Sequence, residues 1–269
     1  MDRLGVARRV APDPAYQLRH HPLVYLGELW GAYRALPELS IALGCPASDL
    51  ARFWDDLIER DRFYERIRAR EAELANAHRF SPSPGGRADA YSEVLYLVAR
   101  AIKPKLVVET GVALGYSSAY LLQALHDNAE GSLHSIDLPT TTPGGRVNAD
   151  GFCDRVHVPS EDATGAVIPN DLRDRWHLRL APSNPALGDL LELLKPIDLF
   201  FHDSEHSYPN MMWEYRTAWP AIRPGGVLLS DDIHRNSAFA EFSRSVDGRT
   251  FVWFGRSGHR GGIRRPAGS

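Results

Sequence analysis

Leu106-Val-Val-Glu-Thr-Gly-Val-Ala-Leu-Gly-Tyr-Ser-Ser118 is the stretch on which the reading of this chain turns. Leu106, Val107 and Val108 form a short apolar run, the pattern of a strand buried on both faces in a parallel sheet. The run stops at Glu109 and Gly111, so a strand ends in a glycine-bearing loop. Beyond Gly115, the segment Ser117 to Leu125 places Ser117 as an N-cap and repeats apolar residues at helical spacing. Strand, tight turn and helix in this order build the ligand crevice at the carboxyl end of an open α/β sheet.

The segments that follow repeat the unit. Gly131 to Asp137 reads as a second strand and ends on an acid 26 residues after Gly111. An acid at that strand end can accept hydrogen bonds from both hydroxyls of a ribose, which makes Asp137 the expected nucleoside ligand. His177 to Ala181 is the next strand, and Leu187 to Leu194 a helix stopped by Pro196. Ile197 to Asp203 is a buried strand that delivers Asp203 to the sheet edge, three positions before His206, and Val227 to Ser230 delivers Asp231 and Asp232. Two neighbouring strand ends therefore present three carboxylates and one imidazole to a single crevice. Like charges held that close are costly unless a proton or cation offsets them, and a hard divalent ion such as Mg²⁺ suits oxygen ligands.

The spacing around Glu109 is E-x-G-x-x-x-G. It lacks the G-x-G-x-x-G that seats a pyrophosphate on a helix N-terminus, and the chain offers no Tyr-x-x-x-Lys, which argues against an NAD-linked reductase. The stretch resembles the first motif of the class I S-adenosylmethionine-dependent methyltransferases. That resemblance implies that the loop from Gly111 through Gly115 to Ser117 lies under the methionine part of the cofactor. It also implies that Glu109 faces the cofactor's amino group directly or through water, and that Ser183, in the loop Pro182-Ser-Asn184, reaches the adenine. The D-x-x-H of Asp203 to His206, with an acidic pair 28 residues after Asp203, is similar to the metal-dependent sugar O-methyltransferases of the macrocin and mycinamicin type over roughly residues 88–255. By position, that similarity implies Asp203, Asp231 and Asp232 as Mg²⁺ ligands and His206 as general base, with Asp203 also orienting the acceptor. One departure is plain: the first acid of the pair is commonly Glu in that type, whereas Asp231 stands here.

Bulk properties narrow the partners. The net charge of −3 leaves no global basic field for nucleic acid or an anionic membrane. Cys45 and Cys153, the two cysteines, match no metal or redox spacing and suit a reducing cytosol. No apolar stretch approaches the ~20 residues of a membrane span, so a cytoplasmic protein is expected. A short helix is expected around Tyr25 to Leu36, and one long helix over 48–76 capped by Ser48, for packing or for pairing two copies into a homo-oligomer. A turn-rich joint over 79–87 separates an N-terminal helical extension, 1–87, from a core domain, 88–255. The irregular run 139–169 reads as a substrate-side cover, and the Gly- and Arg-rich segment 256–269 as a flexible tail.

The expected architecture is a doubly wound, mostly parallel seven-stranded α/β sheet with an N-terminal helical extension. The expected function is transfer of a methyl group from S-adenosylmethionine to a hydroxyl of a small-molecule acceptor, a sugar or other natural product, assisted by Mg²⁺. The rivals are a metal-free N- or O-methyltransferase of a phenol or amine, and a non-catalytic cofactor-binding protein.

Overall fold

The computed structural model describes residues 35–57, 62–78, 90–141, 146–147, 150–151, 153–154, 158–254 and 258–268. After a helical stretch over 35–43 come α1 (Ala47–Asp55), α2 (Phe63–His78), α3 (Ala90–Ile102), β1 (Leu106–Thr110), α4 (Tyr116–Asp127) and β2 (Ser132–Asp137). Then follow the two-residue strands β3 (Arg146–Val147) and β4 (Cys153–Asp154), β5 (Trp176–Leu180), α5 (Ser183–Leu194), β6 (Ile197–His202) and α6 (Tyr208–Ala218). The chain closes with β7 (Ile222–Ser230), α7 (Ala238–Ser245), β8 (Arg249–Phe254) and β9 (His259–Arg264).

The apolar runs become the centre of a seven-stranded sheet of order β5-β2-β1-β6-β7-β9-β8. The strands from β5 to β7 are parallel, and β9 runs antiparallel to both β7 and β8. Every residue of β6 is buried, which is why its sequence does not alternate. Even its acid is accounted for: Asp198 accepts the backbone N–H groups of Lys105 and Leu106 at 2.8 Å each and pairs with Arg223. From β1 the chain builds outward through β2 to β5, then returns to β6 on the other side of β1. The order reverses between β1 and β6, and a ligand crevice opens at such a switch point, outside the carboxyl ends of the strands.

Successive residues of a strand face opposite ways, so Phe200 and Phe201 belong to different cores. Phe201 packs with α3, α4 and the helices before them, while Phe200 packs with α5, α6 and α7. Trp54 of α1 meets Trp253 of β8 at 5.7 Å between ring centroids, and Phe63 of α2 meets Tyr120 of α4 at 4.8 Å. The described helices before residue 87 thus spend their apolar faces inside the core of the sheet. No described helix is long and apolar enough to cross a membrane.

Three expectations are corrected. The helix expected over 48–76 is two helices, because Arg62 takes φ 46° just before α2, a left-handed conformation that an α-helix does not carry. The position before α1 is held by Pro46 and not by Ser48. The segment expected as a flexible tail carries β9, a strand inserted between β7 and β8. Its glycines are what packing demands: a Cβ on Gly261 would lie 2.3 Å from Phe239, and one on Gly262 2.1 Å from Phe251. Apart from the helical residues 35 and 36, the helix expected around 25–36 lies outside the described residues, as does the joint over 79–87. Within 139–169, the described parts hold the β3–β4 pair and a 3₁₀ turn at Glu161–Ala163.

Candidate active site

The carboxyl ends of the strands are laced to one another by main-chain bonds, which fixes the residues that follow them. Gly111 N–H donates to Ile136 O, Ala181 N–H to Asp137 O, Asp203 N–H to Thr110 O and Asp231 N–H to His202 O, each at 2.8 Å. Gly111 adopts φ 84°, and a Cβ there would lie 2.0 Å from the carbonyl oxygen of Asp203. The glycine is thus required by the approach of the β6 end to the β1 loop, in addition to any ligand above it. Gly115 adopts φ 91°, and a Cβ would meet Gly165 Cα at 2.8 Å, so the second glycine lets the segment after residue 158 close onto the loop. Gly165 N–H and Val167 N–H donate to the Ala113 and Leu114 carbonyls at 2.9 and 3.0 Å, pinning that cover in place.

Asp137 stands where a nucleoside ligand is expected. Its Oδ1 accepts the Val112 N–H at 3.3 Å, while Oδ2 is buried and, among the described residues, has no hydrogen-bond partner. A buried carboxylate oxygen left open in this way costs free energy until a donor reaches it, and a ribose hydroxyl is such a donor. Burial pushes the Asp137 carboxyl up, and the backbone N–H groups of Val112, Ala113 and Leu138 draw it down.

Glu109 is held by the protein itself. It is fully buried, and Ser117 Oγ donates to its Oε1 at 2.8 Å while Ser118 and Ser135 Oγ donate to Oε2 at 2.7 and 2.8 Å. Burial raises its pKa to about 7 against the pull of the three hydroxyls. Glu109 therefore ties β1, the start of α4 and β2 together beneath the loop. Ser117 is bound to this carboxylate and is not the N-cap; that position is Gly115. The pairing of Glu109 with three serines from two other elements has no local sequence signal. Ser183 is half-buried, and its hydroxyl helps to hold the Glu214 carboxyl down.

Glu214 is the centre of a second buried network that the sequence did not reveal. Its carboxylate accepts from His202 Nδ1 at 2.7 Å, Thr110 Oγ1 at 2.5 Å and Ser204 Oγ at 2.7 Å. It links the end of β1, the end of β6 and the turn after it from a seat in α6. Burial alone would raise its pKa, yet the charge and hydrogen bond of His202, with the hydroxyls, bring it down to about 2 from 4.5. A depressed carboxyl stabilises the fold above its unfolded pKa and loses that contribution as pH falls. Stability should therefore drop between about pH 4.5 and pH 2, and chemical-denaturant titrations across that window should show Glu214→Gln with less of the acid-side loss. At neutral pH the same variant should be less stable by about 3–5 kcal/mol, the cost of removing one partner of a buried pair.

The β6 and β7 ends carry His206, Asp203, Asp231 and Asp232. His206 Nε2 lies 3.8 Å from Asp203 Oδ1, with the imidazole largely enclosed at 11% exposure. The N-cap of α6 is Ser207, which accepts the Asn210 N–H at 3.4 Å, so His206 is not held there as a cap. Asn236 fixes the main chain beneath it by donating to His206 O at 2.9 Å, and Asn236 Oδ1 accepts the Ala238 N–H at 2.9 Å. This amide is therefore committed to the protein and is not free for an acceptor. His202 meets the His206 ring edge-on at 5.2 Å, and His234, after β7, is 38% exposed and lies 3.9 Å from Asp232.

The expected metal set forms only in part. Donor atoms of Asp203, His206 and Asp231 lie within 4.8 Å of one another, whereas Asp232 is outside that group. Asp232 takes φ 47°, and its carboxylate accepts from Arg235 Nε at 2.9 Å. Asp231 in turn accepts from Arg260 Nε at 3.0 Å. Burial and then Asp231 push the Asp203 carboxyl well up, and Arg260 pulls it down. Two carboxylate oxygens, an imidazole and an adjoining guanidinium do not match the all-oxygen shell that Mg²⁺ prefers. Arg260 was missed because it was assigned to a tail. The signal for it was the alternation of bulk in Thr250 to Phe254, which needs a partner strand.

Residues 108–233 match the family model of a methyltransferase domain, a span that runs from β1 to just past the acidic pair. Solved structures share the fold. An O-methyltransferase from Bacillus cereus, in complex with SAH, is 19% identical over 78% of this chain and 92% of its own, with a TM-score of 0.51. A putative O-methyltransferase from Klebsiella pneumoniae is 19% identical over 78% and 93%, with a TM-score of 0.55. A methyltransferase from Geobacter sulfurreducens is 21% identical over 81% and 96%, with a TM-score of 0.51. No curated protein matches the chain. The sheet order and these likenesses give the chain the Rossmann-like α/β fold of methyltransferases, with the methyltransferase-domain match over residues 108–233.

Proposed function

We propose that the enzyme transfers the methyl group of S-adenosylmethionine to a hydroxyl oxygen of a small-molecule acceptor, a sugar or natural-product scaffold, with His206 as general base. The observation that carries this reading is the placement of His206 and Asp203 beside the strand ends that bear Gly111 and Asp137. A positioned acid–base group in the crevice is what an oxygen acceptor needs. Relatives of the same fold described as O-methyltransferases support the choice of oxygen, and the net charge of −3 favours a small acceptor over nucleic acid.

Asp137 Oδ2 would accept from the ribose, and the backbone of Gly111 to Gly115 would form the floor under the rest of the cofactor. S-adenosylmethionine supplies a sulfonium methyl open to in-line displacement. His206 takes the hydroxyl proton as the oxygen attacks, and Asp203 orients the imidazole and offsets the charge it acquires. Isotope-labelled S-adenosylmethionine, offered with a panel of glycosides, phenols and amines, should deliver label as methyl ethers. Label found on nitrogen alone would overturn the assignment of oxygen.

A further inference from the structure

We propose that Arg260 is the resident cation of the Asp203–Asp231 pair, a positioning residue that fills the place of a divalent metal. The inference rests on the reading of Asp203 and His206 as the acid–base site and concerns what makes that site stable. The register of β7 against β9 pairs Leu229 with Gly262 and Ser230 with Gly261. One further step puts Asp231 opposite Arg260, and opposite charges facing each other across an antiparallel pair attract. The contact is direct, at 3.0 Å, with the two side chains only 6% and 13% exposed. The guanidinium also lies over the Phe201 ring at 5.6 Å, so Phe201 of β6 gives it an apolar wall on the sheet side.

This placement is built in by packing. Gly261 and Gly262 let Phe239 and Phe251 close on the two faces of β9, and β9 cannot shift by one residue without driving a Cβ or the Arg260 side chain into those rings. The charge is therefore fixed to the sheet. Two carboxylates whose oxygens lie within 4.8 Å of each other need a positive partner, and a guanidinium offers a fork of N–H donors that cannot lose its charge at any ordinary pH. A divalent ion brought to the same oxygens would meet that fixed charge and would have to displace the Arg260 bond. Asp232, which could have supplied a further oxygen, is held by Arg235 at 2.9 Å. Arg260 also lies beyond residue 233, outside the span matched by the methyltransferase domain.

Mn²⁺ binding followed by electron paramagnetic resonance tests the assignment, with calorimetric binding of S-adenosylhomocysteine measured on the same samples. The wild-type chain should take up no Mn²⁺ at this site at concentrations up to about 1 mM, the weak end of oxygen-ligand cation sites. Arg260→Gln should acquire one Mn²⁺ that the double variant with Asp203→Asn loses, and Arg260→Lys, which keeps the charge, should stay silent like the wild type. A Mn²⁺ site in the wild-type chain that Asp203→Asn removes would overturn the proposal, and that arm does not depend on the folding of any Arg260 variant. Arg260→Gln folded and still silent would overturn it too. Absence of S-adenosylhomocysteine binding in the wild type would count against the proposed function instead, which keeps the two failures apart.

Discussion

His206→Ala is expected to lower the rate of methyl transfer by ~10²–10⁴-fold, the range for a positioned acid–base group, while leaving S-adenosylhomocysteine affinity within a few-fold of wild type. The separation follows from where the residue sits. His206 lies in the turn between β6 and α6, 3.8 Å from Asp203, whereas the groups expected to hold the cofactor come from the ends of β1 and β2. The ring packs edge-on against His202 at 5.2 Å, while the bond of Ser204 to Glu214 and the Ser207 cap of α6 hold the turn independently of it. Loss of the imidazole therefore removes the proton acceptor without dismantling the turn. Stopped assays with labelled S-adenosylmethionine, paired with calorimetry on the same preparation, would measure both effects. A variant with near-normal turnover would return His206 to a packing role and make His234 the next residue to test.

Gly111→Ala should damage binding and stability together. Its Cβ would sit 2.0 Å from Asp203 O and 2.4 Å from Asp203 C, an overlap with main chain that no rotamer relieves. At φ 84° the alanine also pays the left-handed penalty. The backbone conformation costs about 1–3 kcal/mol and the overpacking about 1–3 kcal/mol more. For a chain of this size each kcal/mol lowers Tm by roughly 2–4 °C, so thermal melts should show a fall on the order of 5–20 °C. The β6 end and the β1 loop have to move apart, so S-adenosylhomocysteine affinity should fall with it. A wild-type Tm with wild-type affinity would mean that the loop and the Asp203 turn are not packed as described.

The parts of the fold that sequence revealed are those whose signals are local. Leu106 to Val108 and Ile197 to Phe201 are apolar runs bounded by acids and turns, and they became β1 and β6 at the centre of the sheet. The positions of Asp137 at the end of β2 and of Asp203 and His206 just after β6 were readable because each follows an apolar strand run. The long-range partners were not readable. Nothing near Glu109 in sequence shows that Ser117, Ser118 and Ser135 converge on it. Glu214 lies in the middle of a helix, and its role depends on which face of α6 meets the ends of β1 and β6. β9 was hidden by its glycines, which read as disorder in sequence and in space are the clearance for Phe239 and Phe251. Arg260, which bonds Asp231 at 3.0 Å, went unnoticed with it.

The central claim is that the crevice at the β1, β2 and β6 ends binds S-adenosylmethionine, with Asp137 holding the ribose. Calorimetric titration of S-adenosylhomocysteine into the wild-type chain and into Asp137→Ala tests it most directly. One site per chain is predicted for the wild type, weakened by about 1–3 kcal/mol in the variant, the cost of losing a hydrogen-bonding partner for a buried polar group. Binding of NADH without binding of S-adenosylhomocysteine, or equal affinity in Asp137→Ala, would contradict the account.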